Sequence, residues 1–154
     1  MRWSRTALLL TTVVASALGS GGCDTVDLGN PPSDINACRP SQAFFVSEIY
    51  PNFLNNDYGG KHCWDAACHG TLAPNALDLT MIDLNDPAMA NPPIPLTGVW
   101  ESNYLSATEE MSCSNVSASK LLEYPAGVRV HGGGKLIEPD GPEAMLIIMW
   151  ISQP

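Results

Sequence analysis

The segment KHCWDAACHG, residues 61–70, gathers two of the chain's five cysteines and two of its three histidines. Any fold must accommodate two thiols five positions apart and an imidazole directly after the second. Three uses of these side chains are chemically open. Cys63 and Cys68 can close a local disulfide. Cys63, Cys68, His69 and either His62 or His131 can supply a zinc site, although adjacent residues such as Cys68 and His69 seldom both reach one tetrahedral metal. Alternatively, the two thiols can add across the two vinyl groups of a haem while His69 ligates its iron. That chemistry normally uses C-x-x-C-H. Here the spacing is C-x-x-x-x-C-H, and the two extra residues can bulge outward while the Cys68–His69 pair keeps its geometry.

The start of the chain bears on the redox state of those thiols. Arg2 and Arg5 precede an apolar run, Ala7 to Leu18, which falls short of the roughly 20 residues that span a bilayer. Small residues and Cys23 follow. Residues 1–22 therefore read as an export signal. Gly21, Gly22 and Cys23 resemble a lipoprotein processing site, although Ser20 stands where a branched aliphatic residue is usual. The expectation is a lipid on Cys23, anchoring the protein to a membrane in the periplasm or at the cell surface. Residues 23–37 are polar and proline-containing, as in a flexible tether. One domain, 38–154, remains.

Two of the seven basic residues lie in the signal. From Cys23 onward five basic residues face sixteen acidic ones, a net charge of −11. Such a surface repels phosphate backbones, so nucleic acid is excluded as a partner. Export also implies an oxidising compartment, where free thiols seldom persist. With Cys23 given to the lipid, Cys38, Cys63, Cys68 and Cys113 need partners. Either Cys63 and Cys68 carry a cofactor while Cys38 pairs with Cys113, or all four form two disulfides in a structural module.

Helical spacing of Phe44, Phe45, Ile49 and Phe53 predicts a helix over 41–54, capped by Ser41 and ended or kinked at Pro51. Residues 76–84 are ambiguous, and 91–96 (NPPIPL) read as an irregular loop. A short helix over 117–124, capped by Ser117, is expected. The clearest helix is 141–152, with Pro142 at its first position and Glu143 near the positive end of its dipole. The apolar run Met145–Ile151 predicts burial on most sides, and Trp150 should meet Phe44 or Phe45. Loops and short helices alone are expected in the middle, leaving a core that a large apolar cofactor would complete.

Five segments in order resemble the cytochrome c-like domains of environmental bacteria, planctomycete type. They are VSEIYPNFL (46–54), CWDAACHG (63–70), ALDL (76–79), SKLL (119–122) with HGGGKLI (131–137), and PEAMLIIMWI (142–151). The resemblance covers about residues 41–152, apart from a lengthened middle that carries Cys113. It implies a mostly α, small helical domain with long irregular loops around one covalent haem c. Cys63 and Cys68 would be the thioether positions and His69 the proximal iron ligand. His131 would be the distal ligand, with Met111 as runner-up. Met145 and Met149 would be plain core. The implied function is electron transfer with an unidentified redox partner rather than catalysis. Its rivals are a haem-free, disulfide-stapled lipoprotein and a haem enzyme or gas sensor with an open sixth site.

Overall fold

The computed structural model describes residues 39–70, 72 and 77–153. The export signal, the tether, Cys23 and Cys38 lie outside the described residues. Those described form helices and loops, with no strand among them. Helix α1 begins as an α-helix, Gln42–Phe44, and continues as a π-helix, Phe45–Leu54. Ser41 caps it, its Oγ accepting from the Phe44 N–H at 3.2 Å. Pro51 neither ends nor breaks α1. In an α-helix its ring would clash with the carbonyl four residues back. The chain instead widens to five-residue turns, visible where Asn55 N–H reaches the Tyr50 carbonyl at 2.7 Å. Such wide turns are rare and recur near functional sites.

Four more α-helices follow: α2 (Pro87–Ala90), α3 (Gly98–Glu109), α4 (Lys120–Glu123) and α5 (Pro142–Ser152). The middle of the chain thus differs from the sequence expectation, because α3 is a twelve-residue helix at the centre of the core. Its Trp100, Tyr104 and Ala107 are buried at near-helical spacing. Asn103 is buried on the same face. It donates to the Thr80 carbonyl (2.7 Å) and accepts from the Thr80 N–H (2.9 Å). This two-handed clamp leaves no polar atom of the amide unpaired and pins the extended segment around Leu79 and Ile82.

Aromatic rings form the centre of the core. Phe45 is fully buried, with ring centroids of Trp150, Tyr104 and Trp100 at 5.3, 5.5 and 6.3 Å. Tyr50 meets Trp100 edge-on at 4.9 Å. Polar edges of these rings are all spent on backbone: Trp150 Nε1 donates to Ser41, Tyr104 to Pro40 and Trp100 Nε1 to Met89, at 3.0, 2.8 and 2.8 Å. The Phe45–Trp150 contact joins the first and last helices as expected. These five rings pack directly on one another.

Two further expectations are corrected. Residues 117–124 do not form one helix. A 3₁₀ turn, Val116–Ala118, is separated from α4 by buried Ser119, and Ser117 Oγ donates to Asn115 rather than capping. Ser119 Oγ accepts from the Ser112 N–H at 2.9 Å, a tie that takes the residue out of helical register. Helix α5 buries only Ala144, Ile147, Trp150 and Ile151. Met145 and Met149 are exposed, so they are neither core nor ligands. Residues 91–96 are irregular, as expected.

Candidate cofactor site

The C-x-x-x-x-C-H segment folds as a closed loop. The His69 N–H donates to the Cys63 carbonyl at 3.0 Å, bringing the two ends together. Inside it, the Asp65 carbonyl accepts from the N–H groups of Cys68 (2.8 Å) and Gly70 (3.0 Å), while the Asp65 carboxylate accepts from the His62 N–H at 2.8 Å. Ala66 and Ala67 are exposed, so the extra length of the motif is directed outward. Trp64 is held aside, stacked on His62 at 4.6 Å and donating to Asn55 at 2.7 Å.

Gly70 is a steric requirement. A Cβ there would stand 2.6 Å from the Trp64 carbonyl oxygen and 2.9 Å from the Ala66 Cα, both backbone atoms that cannot turn away. Gly70→Ala is expected to destabilise the domain by about 1–3 kcal/mol, the usual range for an overpacked site. Urea unfolding checks this.

The loop walls one side of a cavity of about 780 Å³. Its size lies within the range of about 300–1,000 Å³ typical of cofactor and ligand sites. Cys63, Cys68, His69 and His131 all line it, with apolar walls from Phe53, Leu77, Leu121 and Leu136. Val130 stands at the rim with its side chain 96% exposed. Cys63 and Cys68 carry thiols and are not joined to each other. Cys113 is disulfide-bonded; Cys38, its expected partner, is not among the described residues. Met111 packs against the apolar core and does not line the cavity.

The two histidines share one design. His69 Nδ1 is 3.1 Å from the Leu77 carbonyl, and His131 Nδ1 is 3.0 Å from the Gly134 carbonyl. A carbonyl only accepts, so each Nδ1 carries the proton and each Nε2 keeps a lone pair. Metal-binding histidines are commonly oriented in this way. The rings are nearly parallel, 14° between planes, with centroids 5.9 Å apart. Two imidazoles sharing one metal at nitrogen distances near 2.0 Å stand about 6 Å apart, centre to centre. The chemistry of the donor set, two thiols and two Nδ1-tethered imidazoles lining one cavity, suits a covalently held haem.

His131 is held in place by its glycines. Gly134 has φ +77° and returns its N–H to the His131 carbonyl at 2.9 Å. A Cβ on Gly133 would approach the His131 ring to 3.2 Å. Among the described residues, no three His, Cys, Asp or Glu side chains converge as a metal-ion site, so the tetrahedral zinc arrangement is not assembled there. His62 instead places Nδ1 against the carbonyls of Asn55 and Asn56, at 3.0 and 3.1 Å.

Burial favours the uncharged forms of His69 and Cys63. Burial, opposed by the bond to the Leu77 carbonyl, lowers the pKa of His69, which favours the unprotonated ligand form. Burial first, then neighbouring Cys68 and Asp65, push the Cys63 thiol up to about 12. The linkage has two arms. His69 binds its proton more weakly in the folded chain, so stability falls as pH drops below about 6.5. Cys63 holds its proton more tightly in the folded chain, so stability also falls as pH rises from 9.0 toward about 12. The ligand-free chain is therefore expected to be most stable between those limits. Denaturation midpoints across pH check this, and His69→Gln should flatten the acid arm alone.

The four side chains singled out from sequence, Cys63, Cys68, His69 and His131, all line this cavity. Sequence reasoning missed the carbonyls of Leu77 and Gly134, Tyr58 and the charged residues at the cavity, for which no motif exists. No protein-family model, curated protein or solved structure matches this chain.

Proposed function

We propose that this chain is an exported, lipid-anchored c-type haem protein of the cytochrome c-like kind that carries electrons. The observation that carries the reading is the pair His69 and His131, Nδ1-tethered and 5.9 Å apart in a cavity that both thiols also line. A bound haem would supply an iron that changes oxidation state by one electron. The chain's own part is attachment, ligation and exclusion of water. Each thiol of Cys63 and Cys68 would add across a vinyl group, forming one S–C bond and placing its proton on the other vinyl carbon, with no external oxidant. The raised pKa of Cys63 keeps that proton on sulfur beforehand. His69 and His131 would hold the iron, each ring kept in place by its Nδ1 bond to a backbone carbonyl. Phe53, Leu77, Leu121 and Leu136 would cover the apolar faces.

An occupied sixth site favours a carrier over an enzyme or gas sensor. The test is the spectrum of the full chain matured in a host with c-type haem assembly. Low-spin haem in both oxidation states, reversible reduction and poor carbon monoxide binding are the expected results. High-spin haem that takes up carbon monoxide readily would replace the carrier with the sensor or enzyme reading.

A further inference from the structure

The geometry points to Lys61 as the residue that receives a carboxylate of the ligand in this cavity, an inference that rests on the haem reading above. A chain with a net charge of −11 after Cys23 repels anions, so a dianionic ligand such as haem needs local compensation. The cavity is lined by two cations, Lys61 and Lys120, and two carboxylates, Asp65 and Glu110. Three of these four are already committed. Lys120 Nζ is 3.6 Å from Glu110, and Asp65 accepts from the His62 N–H at 2.8 Å. Of the other described cations, Arg129 pairs with Glu123 and Lys135 with Glu138. Arg39 does not line the cavity. Lys61 does, and no ion pair engages it among the described residues.

Its position is also fixed. The Lys61 carbonyl accepts from the Tyr58 N–H at 2.8 Å, closing the turn that leads into the thiol loop. The backbone of Lys61 is thereby fixed two residues before Cys63, at the cavity wall. The charge is solvent-exposed and its effect on affinity is modest, about fivefold.

Iron mesoporphyrin IX tests this, because it keeps both propionates and lacks the vinyl groups that react with thiols. The full chain, produced without haem assembly, is titrated with this compound and with its dimethyl ester. The diacid should bind about fivefold more tightly than the ester. Lys61→Gln should abolish that preference, and Lys61→Arg should retain it. A preference of unchanged size in Lys61→Gln, or equal binding of both compounds to the wild-type chain, would overturn the role of Lys61 while leaving the haem reading intact. Failure of both porphyrins to bind would remove the haem reading and this inference together.

Discussion

Replacing His131 with alanine is expected to convert a low-spin, two-imidazole haem into a high-spin one that binds carbon monoxide. The covalent attachment should survive, because it depends on Cys63 and Cys68 on the opposite loop. The change should leave the fold intact. His131 sits on a partly exposed turn, and its ring bonds only to the Gly134 carbonyl three residues away. Nothing in the aromatic core touches it. The wild-type potential should also lie below that of a His/Met site, since thioether ligation raises it. Absorption spectra of both oxidation states, with and without carbon monoxide, check the result. A methionine ligand would leave its sulfur-to-iron band in place in His131→Ala. Met111 is the residue that outcome would indicate, although it packs away from the cavity.

Phe45→Ala should cost about 3–5 kcal/mol, the range for a buried aromatic truncated in a core. Phe45 is fully buried and touches the rings of Tyr50, Trp100, Tyr104 and Trp150. It therefore joins α1, α3 and α5 at once. A domain of this size has about 5–15 kcal/mol in hand, so the loss brings it close to unfolding. The effect should be present in the haem-free chain, because none of these five rings lines the cavity. Met149→Ala, on the exposed face of α5, should change stability by less than about 0.5 kcal/mol. Urea midpoints of the two variants distinguish them.

The two helices that meet at Phe45 and Trp150 were legible, since both carry dense apolar spacing. Helix α3 was not. Its buried face mixes Trp100 and Tyr104 with Asn103, and an asparagine reads as solvent-facing until Thr80 appears beside it. Thr97, its first flanking residue, gives no side-chain cap bond that could mark the start. Seven apolar residues in α5 suggested burial all round, yet Met145, Ile148 and Met149 face outward. Hydrophobicity alone does not say which side of a helix finds a partner. Pro51 is expected to end or kink an α-helix, whereas the wider π turn carries it within α1.

At the site, the cysteines and histidines were legible because their chemistry is carried by side chains in a fixed order. The features that orient the histidines are main-chain carbonyls, of Leu77 and Gly134, and any sequence supplies those. Their placement depends on where the extended segment after the motif and the glycine turn after His131 run. Only the three-dimensional path shows that both histidines line one cavity.

The most direct measurement is the intact mass of the full chain matured in a host that assembles c-type haem, taken after denaturation. The account predicts a gain of one haem that survives denaturation and is lost when both Cys63 and Cys68 are replaced by alanine. A wild-type chain of unmodified mass at those two cysteines, or one in which they are joined by a disulfide, would contradict it.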